Sequence, residues 1–275
     1  TTNGDGLTNA GISPRDEGTG VLQVLVRPSI FNGSTWDRLR GGLTGILYQK
    51  PLPAYARRAP RRVFFYDDLE ASTLRWNQTL ATISRDTTTA AVFAGAASLK
   101  FLTGANAGDE AQADIRRAGD STQILVIELW WTMTAAAATS PRRFTVQVHV
   151  YDGTNLRQLE VAYLKNLTTA QNKWQVTGDH STYADIAGGS ETLIVGTAVP
   201  HVWHYFRGHF NFNAATPNLD ELHTDTLDLT GLTAAGASAA SAVQPHIQLF
   251  LSGTTDAAAA STFFADEVLL SDSEA

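Results

Sequence analysis

Residues 144–151 hold the pattern that most constrains this chain: Phe144, Val146, Val148 and Val150 alternate with Thr145, Gln147, His149 and Tyr151. A period of two sends the two sets to opposite faces of a strand, which a helix of about 3.6 residues per turn cannot do. Asp152-Gly153 then suits a tight turn, and residues 157–164 pair back as a meander. Further strands are predicted at 98–102, 124–133, 174–176, 192–195, 202–213, 247–252 and 263–271, with no long amphipathic helix between them. Strands this numerous predict an all-β protein, an antiparallel jelly-roll β-sandwich of two packed sheets. The alanine-rich stretches at 135–138, 234–242 and 257–260 lie next to threonine, serine or glycine and read as loops, the second with room for a short helical turn.

The first 62 residues read differently. Residues 21–31 are strand-like but contain Pro28, which places them at an edge or splits them in two. Asn32-Gly33 supplies a hairpin turn and residues 35–39 return, whereas 41–62 carry Pro51, Pro53 and Pro60 with little periodicity. The expected organisation is an extended N-terminal arm with a small hairpin over 1–62, then the sandwich over 63–275. Charge divides at the same place: residues 1–62 hold nine basic groups against four acidic (net +5), and the rest 11 against 23 (net −12). Such asymmetry suits an arm that meets an acidic surface and a body that stays repulsive and soluble. The basic cluster Arg57-Arg58-Ala-Pro-Arg61-Arg62 is short and without interleaved aromatics, so nucleic acid is not the expected partner. No membrane partner is expected either. The longest apolar run, 124–133, is too short to span a bilayer and contains Glu128, and the first residues show no basic flank and apolar stretch of a secretory signal.

Chemistry is bounded by what the chain lacks. It has no cysteine, which excludes disulfides, thiol catalysis and cysteine-ligated metals. It shows no Gly-x-Ser-x-Gly elbow, no phosphate loop and no alternating carboxylates on one strand, so no catalytic activity is expected. The acidic cluster at 220–225 reads as a loop. Strand alternation puts His201 and His209 on one face and His204 on the other, so zinc is not expected and structural histidines are. Trp203, Tyr205, Arg207, His209 and Asn211 form a row of aromatic and polar groups that Gln147, His149 and Tyr151 could extend on another strand. A sugar needs such a surface, since its axial hydrogens stack on rings and its hydroxyls need directional partners; the alternative is a face covered by loops or a neighbouring subunit. In a jelly roll the first and last strands lie side by side. Asp68 and Glu70 near the start and Asp266 near the end could therefore hold a calcium ion, the alternative being solvated strand-end carboxylates.

Two resemblances add to this reading. Residues 26–41, Val-Arg-Pro-Ser-Ile-Phe-Asn-Gly-Ser-Thr-Trp-Asp-Arg-Leu-Arg-Gly, resemble a short module of tailed-bacteriophage virion proteins in which a sequence like Tyr-Asn-Gly-Thr-Thr-Trp-Asp-Arg-Leu-Arg-Gly follows a strand. Residues 64–70, Ser72 to Trp76, 97–101 and 264–268 resemble the opening, second-strand and closing patterns of jelly-roll carbohydrate-binding modules. Trp203-His204-Tyr205-Phe206 is similar to a Trp-Tyr-His-Val stretch of concanavalin A-like domains. Together these imply a non-enzymatic phage virion structural protein with a lectin-like sandwich, in the first place a capsid decoration protein. A tail or fibre component, or a lectin-like module recognising host glycans, is the alternative. The implied partners are the major capsid protein or other virion proteins, further copies of the chain on the particle and a host surface glycan. The implied location is the virion surface. Arg27, Phe31, Trp36, Arg38, Arg40, Arg57, Arg58, Arg61 and Arg62 would attach the arm, and no cofactor beyond calcium is implied.

Overall fold

In the computed structural model the alternating segments become long antiparallel strands. The structure describes residues 63–118, 124–134, 142–165, 172–194, 201–255 and 260–272, together with four short strands before residue 39. The chain divides into two compact units, Thr1–Ala59 and Pro60–Ala275. In the first, β1 (Pro14–Asp16) pairs with β2 (Leu22–Val24), and β3 (Ser29–Phe31) with β4 (Trp36–Arg38). The latter pair is the hairpin expected around Asn32-Gly33, with Phe31 opposite Trp36. Pro28, in the segment expected to be an edge strand or split in two, lies outside the described residues.

The second unit is a jelly-roll sandwich of two eight-stranded sheets. The first sheet holds β5 (Val63–Asp67), β7 (Thr82–Asp86), β8 (Ser98–Leu102), β10 (Ile124–Met133), β15 (His204–Asn211), β16 (Asn218–Thr224), β17 (Asp228–Ala235) and β20 (Thr262–Asp272). Its order is β17-β16-β15-β10-β20-β8-β7, with β5 also on β20, so the first and last strands of the sandwich are neighbours. The second sheet holds β6 (Asn77–Leu80), β9 (Glu110–Arg117), β11 (Arg142–Tyr151), β12 (Asn155–Lys165), β13 (Asn172–Thr177), β14 (Ala184–Ser190), β18 (Ala237–Ala240) and β19 (His246–Thr255). It runs β14-β13-β12-β11-β19-β9-β6, with β18 on β12. Gly153, at φ +90°, turns β11 into β12 in a conformation that suits glycine.

Both sheets give their inner residues to one core. Phe144, Val146, Val148 and Val150 of β11 face Leu125, Ile127, Leu129 and Trp131 of β10 within it. Trp131 is the main tie: its ring stacks on Phe144 at 4.6 Å and 2°, meets Trp174 edge-on at 6.0 Å and lies 5.4 Å from Tyr163. These three partners all belong to the second sheet. At Gly253 the sheets come so close that a Cβ would fall 2.2 Å from the Phe263 ring.

Three expectations change. Residues 192–194 of the strand predicted at 192–195 are not strand, because side chains take backbone groups that a ladder would use: Lys165 donates to the Leu193 carbonyl and the Leu193 N–H donates to the Tyr163 hydroxyl; residue 195 lies outside the described residues. The alanine-rich 234–242 is largely strand rather than loop or helical turn, in the end of β17 and in β18. β18 pairs with β12 there because Gly236 passes within 2.3 Å of the Gln158 carbonyl, measured from a Cβ it does not have. The acidic 220–225 lies largely in β16, its polar groups on the outer face. The alanine-rich stretch at 135–138 lies outside the described residues, as does nearly all of that at 257–260.

Removing the ring that ties the sheets leaves a cavity facing three other aromatics. Trp131→Ala is therefore expected to lower stability by about 3–5 kcal/mol, measured by urea unfolding.

Candidate functional site

Opposite the core, β11 presents Arg143, Thr145, Gln147, His149 and Tyr151 on the outer face of the second sheet. The register sets Gln147 between Glu160 of β12 and Phe250 of β19, and His149 between Gln158 and Gln248. An outer face would ordinarily be solvated. Here Gln147, Glu160 and Gln248 are only 7%, 1% and 4% exposed, so a polar surface has been withdrawn from bulk water.

Part of the cover is the segment 178–183, which crosses the sheet. His180 Nδ1 lies 2.6 Å from Glu160 on β12, and its Nε2 lies 3.4 Å from Glu110 on β9. Those strands are separated by β11 and β19, so one imidazole spans the face. Hydrogen bonds to Glu110 and Glu160 push His180 up to about 10, which keeps it an imidazolium at neutral pH. The Tyr183 hydroxyl donates to Glu160, and the Arg143 guanidinium lies 4.1 Å over its ring. Burial first, and the Glu160 charge second, push Tyr183 well above the usual tyrosine range, so it remains a protonated donor.

His149 behaves in the opposite way. Burial, reinforced by the charges of His180 and His246, pushes it down to about 4, so it is neutral at pH 7. Its ring meets Phe250 at 4.7 Å and Tyr151 at 6.2 Å, and neither ring nitrogen has a hydrogen-bond partner. A neutral imidazole, a carboxamide, a guanidinium and a phenol thus lie near one another beside aromatic rings. The carboxamide, guanidinium and phenol are donors or acceptors suited to hydroxyl groups, while both His149 nitrogens are buried as they stand.

The predicted glycan row lies elsewhere. Tyr205, Arg207, His209 and Asn211 project from β15 in the first sheet, and Trp203 just precedes it. Gln147, His149 and Tyr151 therefore do not extend it: β11 pairs with β12 and β19, β15 with β10 and β16, and the rows occupy the two opposite outer faces. Arg207 and His209 are buried and 2.6 Å apart, Arg207 also lies 3.5 Å from Glu128, and Asn211 donates to Asp220 at 2.7 Å. Tyr205 packs on Trp130 at 5.3 Å, and Trp203 lies 5.7 Å from Phe93. The three histidines are separated: His201 stacks on Phe264, His204 bonds Asp225 and the Ile194 carbonyl, and His209 approaches Glu221.

The proposed calcium ligands are occupied by backbone donors. Asp266 accepts from the N–H groups of Phe93, Ala94 and Glu267, while Glu70 accepts from Ala96 and Asp68 from Glu70 N–H. Asp266 and Glu70 thus hold the segment 93–96 from two points, where N–H dipoles offset their charge. Burial pushes Asp266 up to about 7 despite those donors. No group of three metal-ligating side chains forms among the described residues. Asp67 is the inward-facing acid of β5 and accepts from Leu69 N–H and Trp76 Nε1. Of the proposed attachment residues, Phe31, Trp36 and Arg38 stand on β3 and β4; Arg27, Arg40, Arg57, Arg58, Arg61 and Arg62 lie outside the described residues.

No protein-family model matches the chain, and neither does any curated protein. Solved structures do. The endo-β-1,4-glucuronan lyase of the fungus Trichoderma reesei superposes with a TM-score of 0.51 over 77% of this chain and 96% of its own, at 11% identity. This chain shares the lyase's fold. The Emp47p carbohydrate recognition domain aligns over 76% of this chain and 95% of its own at 9% identity, with a TM-score of 0.49. The alginate lyase Aly36B, solved with an alginate trisaccharide, aligns over 64% of this chain and 82% of its own at 14% identity, with a TM-score of 0.42.

The raised pKa of His180 has a stability consequence. An unfolded histidine titrates near 6.5, so the contribution of the Glu110–His180–Glu160 contact is complete below that pH and is lost as pH rises through about 10. Melting temperature should fall over that window in the wild type, and His180→Gln should flatten that part of the profile.

Proposed function

We propose that the outer face of the second sheet binds a polysaccharide chain. The observation that carries this reading is His149, a neutral, largely buried imidazole with both ring nitrogens unpartnered, set between Tyr151 and Phe250 and beside Gln147. Aromatic edges and faces suit the apolar side of a sugar ring, while Gln147, Arg143 and Tyr183 supply directional partners for hydroxyls. The glucuronan lyase that shares the fold, and the carbohydrate recognition domain that aligns with it, are sugar-directed proteins by their own descriptions. The chain is read here as a lectin-like carbohydrate-binding module. Its placement on a virion surface, with residues 1–62 as the attachment arm, is a separate proposal that rests on the hairpin-bearing module at 26–41.

Chain cleavage by elimination is the second reading, favoured by the proton-accepting state of His149. His149 would take the proton on the carbon next to a sugar carboxylate, the carbon–oxygen bond one carbon further would break, and a carbon–carbon double bond would form between the two carbons. His149 would then return the proton to the leaving oxygen. No nucleophile or carboxylate pair is needed for this step, which is why their absence from the sequence does not bear on it.

One experiment addresses both readings. Purified protein titrated with neutral and acidic polysaccharides should bind at least one of them, and His149→Ala or Gln147→Ala should weaken binding about tenfold, about 1.4 kcal/mol, whereas Tyr205→Ala should not. Binding indifferent to both changes would overturn the site. Ultraviolet absorbance from unsaturated ends, present with the wild type and absent with His149→Ala, would select cleavage over binding alone.

A further inference from the structure

At the end of this face, where β9 and β19 finish and start, a groove of about 450 Å³ opens between Arg116 and Arg117 on one side and Gln244, Pro245 and His246 on the other. It neighbours the His149 site through the strand register. Arg116 lies opposite Gln248, and Gln248 lies opposite His149, so the three form one row across β9, β19 and β11. Adjacent strands are about 4.8 Å apart, which sets Arg116 and His149 about 10 Å apart at the backbone. The His246 ring also stacks on Tyr151 at 4.3 Å and 11°.

Charge at this groove departs from that of the body around it, whose formal balance is strongly negative. Alternation sends Arg116 to the outer face and Arg117 toward Phe65, yet both line the groove. The Arg116 side chain is 63% exposed, and its nearest carboxylate, Asp114, lies 3.6 Å from Nε. That carboxylate already accepts from Thr79 and Gln248. Arg117 donates to the Arg116 carbonyl and has no carboxylate within 4.0 Å among the described residues. Two adjacent guanidinium groups, with one carboxylate beside them, therefore line a groove two strands away from His149. A guanidinium fork matches a planar carboxylate, or a sulfate, through paired N–H donors.

We infer that the chain bound on this face is acidic, and that Arg116 and Arg117 hold a carboxylate or sulfate on a sugar unit beyond the one at His149. This rests on the reading of the face as a polysaccharide site. Titration of the full chain with a polyuronate, a sulfated polysaccharide and a neutral polysaccharide tests it. The expected result is at least tenfold tighter binding of one acidic polymer than of the neutral one, weakened by salt. Which acidic polymer binds identifies the anion. The double change Arg116→Gln with Arg117→Gln should remove that preference while leaving neutral binding in place, and His149→Ala should weaken both. Equal affinity for acidic and neutral chains, an acidic preference that persists in the double variant, or acidic binding insensitive to salt would overturn the inference while leaving the polysaccharide reading intact. Failure of all three polymers to bind would overturn both.

Discussion

The stack of Trp131 on Phe144 is the contact on which the rest of the sandwich depends. It joins a strand of the first sheet to a strand of the second through two wholly buried rings, and Trp174 and Tyr163 close around the same indole. Burial of this cluster, together with the valines of β11, fixes which face of that strand points inward. Because side chains alternate, Gln147 and His149 have no choice but the opposite face. A slip of one residue would bury the polar set and expose the valines. The register of the candidate site is therefore a by-product of core packing two strands deep.

Electrostatics then divides that face into groups with different protonation states. Glu110 and Glu160 stand on strands with two others between them, yet their carboxylates meet one imidazole and hold His180 charged between them. The same charge helps keep His149 neutral. Two histidines on one surface thus titrate on opposite sides of their ordinary value, for reasons that reside in their neighbours. A charged imidazole fastens the cover, and a neutral one faces what lies beneath it.

Much of the fold was legible because valine, phenylalanine and leucine mark buried positions plainly. β8 and β10 have the bounds their apolar runs suggest, and β11, β12, β19 and β20 differ only at the ends. β9 was missed because its inward residues include Ala111 and Ala113, which pack as well as larger residues against a crowded core yet carry little hydrophobic signal. β17 and β18 were missed because they are edge strands rich in alanine and threonine with few buried residues. The site was partly legible: Gln147, His149 and Tyr151 stood out as the polar side of an alternating strand. Their companions did not, since Glu110, Tyr183 and His180 come from segments distant in sequence, and only strand order shows that β9 and β12 flank β11 and β19. The same lack of strand order allowed the rows on β11 and β15 to be joined on paper, although a sandwich turns them back to back.

The crossing segment 178–183 has a mechanical character of its own. It begins at Gly178, where a Cβ would fall 2.2 Å from the Ala237 nitrogen, and it passes through His180 at φ +59°. Its hold on the sheet includes polar contacts to Glu160 and Glu110, the Arg143–Tyr183 stack and hydrogen bonds between Asp179 and Thr177 of β13, and the segment carries no aliphatic side chain to anchor it in the core. A strap of this kind can lift without unzipping a ladder, so its local opening does not require global unfolding. The ladders beneath keep their hydrogen bonds whether it is seated or lifted.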